Sequence, residues 1–358
     1  MSSLKKISDR MKTIKSTYQV TSSMKIVALS RLRKLHNAFL KTENYVIEMN
    51  RIIRRLLRSA TERQAKLMWS GSDEVVSFPP LFTGNGRDGR YLVVAITSDN
   101  GLNGASNVQV IQKTVEVIEY LQSQKKEITI LCFGTIGSDI IKRFNLNEKI
   151  YTIKRKFSDG SEPYLDAERL TVGLLNEFDR DRFDVCMLVY NKFKSIVSQR
   201  PTIDQVIPNK ICVGKNPWQF IIDTNDPDYI KRDVFGEKKI SLQQTALLKA
   251  LGIDAFTHLG ALSDDFLAAS TRLPESYDYE PSDLEILHQI LPQYLVSYIN
   301  RVLLETEVGD NAARLMAMDN ATKNAEDMLK QLKKQYSRTR QSKITTDIIE
   351  VVSGSLET

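Results

Sequence analysis

Counting from Leu4 in alternating steps of three and four residues reaches Leu4, Ile7, Met11, Ile14, Tyr18, Thr21, Lys25, Ala28, Leu32, Leu35, Phe39, Thr42, Val46, Met49, Ile53, Leu56 and Ala60, of which only Thr21, Lys25 and Thr42 are polar. No Pro or Gly occurs before Gly71, so nothing in the backbone chemistry interrupts a helix for about eight heptads. At about 1.5 Å per residue such a helix is on the order of 85 Å long, more than a small domain is wide, and it is expected to project. A seam of period 3.5 also predicts a left-handed supercoil with a second helix.

The other end of the chain supplies a matching pattern. Leu315, Met318, Thr322, Ala325, Leu329, Leu332, Tyr336 and Thr339 follow the same steps, which then shift to Ile344, Ile348 and Val351. Ser282 or Asp283 can cap the start of this segment. Pro292 lacks a backbone donor and is expected to kink or split the helix, leaving an uninterrupted run from about 293 to 352.

Between these ends the period changes. Arg90–Ile96 is a continuous apolar run, as in a strand covered on both faces, and residues 127–133 and 183–190 read the same way. Helical spacing occupies 108–121, 138–144 and 166–178. Alternating strands and helices imply a mostly parallel sheet. The fold class is therefore α/β: a long antiparallel coiled coil of the N- and C-terminal helices, plus a central Rossmann-like α/β domain. Its expected segments are helix 1–67, central domain 68–282 and helix 283–358. Gly and Pro mark 68–89 as a loop into that domain, and 209–279 mixes short apolar runs with Asp, Gly and Pro, with partial helix expected at 241–251.

Charge sharpens the picture. The net charge is +6, but residues 1–66 hold eight Lys and eight Arg against one Asp and three Glu, a net +12 that leaves −6 for the remainder. A one-signed helix predicts an acidic partner surface: nucleic acid, anionic lipid or acidic protein loops. There is no run of about 18 apolar residues, the length needed to span a bilayer as a helix, and the start lacks a signal-peptide core. Cys132, Cys186 and Cys212 are widely spaced and odd in number, without metal-ligand spacing, and read as reduced, mostly buried and intracellular.

Candidate chemistry is sparse. A glycine turn follows the first strand at Thr97-Ser98-Asp99-Asn100-Gly101-Leu102-Asn103-Gly104, but GxGxxG and GxxxxGK[ST] are absent. Asp99 would repel phosphate at a helix N-terminus and reads instead as a cap in a tight turn. His36, His258 and His288 fall in unrelated segments, so no short-range metal set exists, and no GxSxG elbow activates Ser98 or Ser138. Tyr18 and Phe39 sit on the seam rather than on a base-stacking face. From these residues a basic scaffold, a nucleic-acid-binding arm and a nucleotide-dependent enzyme all stay open.

Longer strings narrow the choice. Arg10 to Thr17, Thr21 to Ala28 and Arg31 to Lys34, then Ala312-Ala313-Arg314-Leu315-Met316-Ala317-Met318-Asp319-Asn320-Ala321-Thr322, Tyr336 to Gln341 and Ile344-Thr345 resemble the γ subunit of F-type ATP synthases. Tyr190 to Ser195 and Pro201-Thr202 resemble that family's central domain. The family's turn Asp-Arg-Gly-Leu-Cys-Gly differs here, with Asn100 and Asn103 at the Arg and Cys positions, and 209–279 looks like an insertion.

The resemblance implies a central rotor shaft that carries torque between a proton-driven membrane ring and nucleotide sites on β subunits. It implies no catalytic residue, metal or cofactor in this chain, and neither nucleic acid nor a small-molecule substrate. Implied partners are the α and β subunits of the head, the ε subunit and the c-subunit ring. The implied location is peripheral, at the cytoplasmic face of a bacterial inner membrane rather than the mitochondrial matrix face. Motif by motif, the implied partner-binding residues are Met24, Lys25, Arg314, Arg340, Gln341 and Thr345. For Lys25 the alternative is a polar break that sets the register of the seam.

Overall fold

The computed structural model describes residues 3–69, 78–144, 149–155, 163–209, 279–280 and 282–356. The expected insertion at 209–279 and helix at 241–251 fall almost wholly outside them. The chain divides into two compact units, one of residues 1–54, 80–211 and 290–358, the other of 55–79 and 212–289. The first holds the sheet with most of both long helices, and the second holds the remaining ends of those helices.

Helix α1 spans Ser3–Trp69, and the last helix, α6, spans Asp283–Leu356. Ser282 caps α6 by accepting the Glu285 N–H at 3.2 Å. Of the kink or split expected at Pro292, the split does not occur: the helix is continuous from Asp283 to Leu356. Leu291, Tyr294 and Leu295 beside it are buried, and this packing offsets the single backbone bond a proline cannot make.

The two helices pair antiparallel in one register. Thr322 donates to Thr21, Lys25 pairs with Asp319 at 2.6 Å, and Arg301 lies 3.8 Å from Glu43, so paired residue numbers add to 343 or 344 at every crossing. Described seam positions of α1 are buried or half-buried throughout. Ala28, Leu32 and Phe39 form a core with Leu304, Val308, Ala312 and Leu315. On α6 the seam stops at Thr339; Ile344 and Ile348, expected to continue it, are 48 and 57% exposed. The register gives the reason: the described part of α1 begins at Ser3, so beyond about residue 341 α6 has no described residue of α1 opposite.

Five strands make one sheet in the order β3-β2-β1-β4-β5. They are β1 Arg90–Ile96, β2 Glu127–Phe133, β3 Lys149–Ile153, β4 Val185–Phe193 and β5 Gln199–Ile207. The first four run parallel, and β5 pairs antiparallel with β4. Sequence periodicity found the interior strands and missed β3 and β5, which are the edges. β3 is largely exposed, the polar-interleaved residues of both strands carry no apolar run, and β5 contains Pro201, tolerated where a strand has one open side.

Among the described residues the connecting helices are α2 Pro80–Thr83, α3 Ser106–Ser123, α4 Thr135–Ile141 and α5 Pro163–Asp179, with a 3₁₀ turn at Lys142–Phe144. The region 68–89, expected as a loop, thus holds the end of α1 and α2. Leu92, Val94 and Ile96 join Leu170, Leu174 and Phe178 of α5 and Ile299, Val302 and Leu303 of α6 in the main core. Val93 and Ala95, on the opposite face by the strand period, are fully buried as well, and α3 packs on β1, β2 and β4. The lower half of α6 is therefore both a layer of the α/β domain and a strand of the coiled coil.

Candidate functional site

Two places concentrate polar side chains. One is the outer surface of the helix pair. Met24 is exposed beside Val20 and Val27, on the flank next to the seam, and Arg340 and Gln341 are exposed on α6. Thr345 is exposed too, its hydroxyl turned back to donate to the Gln341 carbonyl at 3.0 Å. Lys25 already has an acidic neighbour in its own chain: Asp319 accepts from Lys25 at 2.6 Å and from Lys323 at 2.7 Å. Both cations hold the Asp319 carboxyl below its ordinary range despite partial burial. A lysine placed on an apolar seam with one carboxylate opposite fixes the register of the two helices.

The other place is where α6 crosses the carboxyl ends of the strands. Asp310 is buried on α6 and accepts from Asn103 at 3.0 Å and from Ser106 at 2.8 Å. Asn191, at the end of β4, donates to Ser106, and Gln199 donates to the Gly309 carbonyl. Glu305 accepts the Phe193 N–H at 3.2 Å and pairs with Arg301 at 3.1 Å. Tyr190 and Tyr298 both donate to Asp204, at 2.8 and 2.6 Å. Burial pushes the Glu305, Glu307 and Asp310 carboxyls up, opposed by Arg301 for the first and by Arg155 for the others. Arg314 is half-buried and donates to the Gly101 carbonyl at 3.3 Å and to Asn311 at 3.1 Å. Of the residues carried over by resemblance it is the one that turns inward.

The turn after β1 explains itself in this setting. Asp99 does not cap the helix that follows it. Its carboxylate reaches across to accept the Thr135 N–H at 2.6 Å, at the start of α4, and the Arg155 N–H at 3.0 Å. Thr97 accepts the Gly137 N–H at 3.2 Å. The approach requires glycine: a Cβ on Gly134, whose φ is +120°, would lie 2.3 Å from the Thr97 carbonyl oxygen. Asn103, at the family's Cys position, is buried and serves as a donor to Asp310 and Ser98. The sequence carried no periodic signal for this network; its members lie in six separate segments.

Among the described residues no cluster suits a metal ion, and no helix is long and apolar enough to cross a membrane. Cys132 and Cys186 are buried thiols, and burial raises both, Cys132 to about 11. His36 is buried between Phe39 and Phe193, while His288 is exposed.

The sequence matches the family model described as ATP synthase over residues 3–356. It is 33% identical over 355 residues to the ATP synthase gamma chain of Rhodospirillum rubrum, covering 99% of each chain. It is 32% identical to that of Granulibacter bethesdensis, again covering 99% of each. Among solved structures, the central stalk and c-ring assembly of Tetrahymena thermophila mitochondrial ATP synthase contains a similar chain, at 17% identity and a TM-score of 0.47, covering 84% of this chain and 99% of that one. Full-length matches at this identity, together with paired terminal helices mounted on a parallel sheet, place the chain in the ATP synthase gamma-chain family.

Proposed function

We propose that this chain is the turning shaft of an ATP synthase, passing torque between a membrane ring and nucleotide sites on β subunits while catalysing nothing itself. The observation that carries the reading is the mounting of α6. Five hydrogen bonds named above join residues 298–310 to the sheet and to the turn and helix that follow β1, and the same helix then pairs with α1 for about forty residues. Torque applied to the α/β domain passes into the helices without a flexible joint, because α6 is one continuous helix whose Ile299, Val302 and Leu303 are packed into the domain core.

Two unlike helices make a shaft without threefold symmetry. A shaft that meets three β subunits through different faces biases each toward a different conformation, and turning it exchanges their nucleotide affinities. Met24, Arg340, Gln341 and Thr345 are exposed in positions that suit contact with the α and β subunits, and Arg340 can form a bidentate pair with a carboxylate. Lys25 and Arg314 would contribute their remaining donors. The basic face of α1 suits acidic loops of the head, and the α/β domain would meet the ε subunit and the c-subunit ring. In this arrangement the chain is a peripheral membrane protein on the cytoplasmic face, coupled to proton flow only through the ring.

Replacing Arg340 and Gln341 together with Ala tests the reading. ATPase turnover of the reconstituted complex should fall several-fold, while the thermal unfolding of the chain stays within about 0.5 kcal/mol of wild type. Unchanged turnover removes these residues from the contact. Failure of the chain to co-purify with α and β subunits in fixed ratio would remove the shaft reading altogether.

A further inference from the structure

Three Asn-Gly pairs occur in the chain: Asn85-Gly86, Asn100-Gly101 and Asn103-Gly104. Such a pair is chemically fragile, because glycine has no Cβ to keep its N–H away from the preceding asparagine side chain. The fold treats the three differently. Asn85 donates to Asp181 at 3.1 Å and to Asp184 at 2.8 Å, and its Oδ1 accepts the Arg87 N–H at 3.1 Å. Asn103 is buried, donates to Ser98 and Asp310, and accepts from Asn107 at 3.3 Å. Asn100 is exposed, and among the described residues neither its side-chain amide nor the Gly101 N–H makes a hydrogen bond.

The surroundings of this third pair favour the reaction further. Gly86 and Gly104 have φ of +74° and +61°, a left-handed backbone that calls for glycine. Gly101 lies outside that region, and a Cβ on it would meet nothing within 4 Å, so the turn itself does not require glycine there. Ser98 Oγ donates at 2.8 Å to the Asn100 carbonyl, which belongs to the same peptide group as the Gly101 N–H. A donor at that oxygen stabilises the negative charge that develops when the N–H is lost. Asn100 also lines a cleft with the exposed Arg31 and Lys34 of α1 and with Arg314 of α6, cations that favour the same charge. The neighbouring Asp99 carboxylate is already engaged by the Thr135 and Arg155 N–H groups.

We propose that Asn100 is a self-modification site, deamidated through ring closure with Gly101. The Gly101 nitrogen attacks Asn100 Cγ, the new N–Cγ bond closes a succinimide, and the Cγ–Nδ2 bond breaks. Nδ2 leaves as ammonia, carrying away the proton given up by the Gly101 N–H. Water then opens the ring: its hydroxyl adds to one of the two imide carbons, the bond from that carbon to the Gly101 nitrogen breaks, and the nitrogen regains a proton. Opening at Cγ leaves aspartate, and opening at the main-chain carbon leaves an isoaspartyl link with the chain running through Cβ. Either product sets a carboxylate in the cleft with Arg31, Lys34 and Arg314, where charge-assisted contacts to both long helices become available. The inference rests on the turn alone and holds whether or not the chain acts as a shaft.

The test is to incubate the full-length chain at mildly alkaline pH, folded and in guanidinium chloride, and to follow each Asn-Gly pair by peptide mass spectrometry. Fragment ions separate residue 100 from residue 103 and aspartate from the isoaspartyl link. In the folded chain Asn100 should exchange its amide for a carboxyl at least about tenfold faster than Asn85 or Asn103, whose hydrogen bonds must first be broken. In the denatured chain the three rates should converge. Gly101→Ala, whose methyl group enters open space and leaves the fold intact, should slow conversion at Asn100 by about tenfold or more. Equal rates at the three pairs in the folded chain, or suppression at Asn100 on folding as deep as at the other two, would overturn the site. Undiminished conversion in folded Gly101→Ala would overturn the ring closure.

Discussion

The lower and upper parts of the helix pair obey one periodicity but rest on different physics. Between Ala28 and Met49 the α1 seam is largely buried against α6, which at the same time packs on the sheet, so each side chain meets neighbours on several sides. From Leu4 to Tyr18 the same seam is only half-buried, because the partner helix is the sole neighbour, and past residue 341 every described α6 side chain is exposed. The lower part is therefore a core element that happens to be long. The upper part is held by helix propensity and one line of contacts, which leaves its outward side chains free for other subunits.

Substitutions separate the two regimes. Arg301→Ala should be the most damaging, destabilising the chain by about 3–5 kcal/mol in denaturant unfolding, because it strands Glu305 as a buried carboxylate without its counter-ion. Leu32→Ala removes a side chain only 2% exposed and should cost about 2–5 kcal/mol. The matching change at the far end, Ile348→Ala, should stay within about 0.5 kcal/mol. A loss at Ile348 comparable to that at Leu32 would erase the distinction between the two parts.

Smaller effects probe the boundary between them. A double-mutant cycle on Lys25 and Asp319 should give a coupling of about 0.2–1 kcal/mol that shrinks with added salt, since the lysine is partly solvated. His36 supplies a pH signature for the lower part. Burial lowers its proton affinity, so on acidification the unfolded chain takes up the proton first. Stability should thus fall as pH drops through the ordinary histidine range near about 6.5, and His36→Phe should flatten that dependence in thermal unfolding.

Much of this architecture was legible in the residues. The seam from Leu4 to Ala60 predicted α1, and the apolar runs at Arg90–Ile96 and Glu127–Phe133 predicted the strands as they stand, because a strand covered on both faces leaves no room for polar side chains. The exposure of Met24, Arg340, Gln341 and Thr345 follows from their places off the seam or beyond its end. Asp99 was readable as a cap but not as the cap of α4, because its acceptor geometry joins segments 36 residues apart.

What the sequence by itself determined was local and periodic: which stretches are helix or buried strand, and which face of each is apolar. The tertiary structure alone decided the register of the helix pair, the end of the seam where α1 runs out, and the edge strands β3 and β5, whose pairing rather than composition makes them strands. It also decided the meeting of Arg31, Asn100 and Arg314 in one cleft. Periodicity reports the environment of a residue relative to its own element, whereas a site is made of side chains from elements distant in the chain, and their convergence has no period to detect.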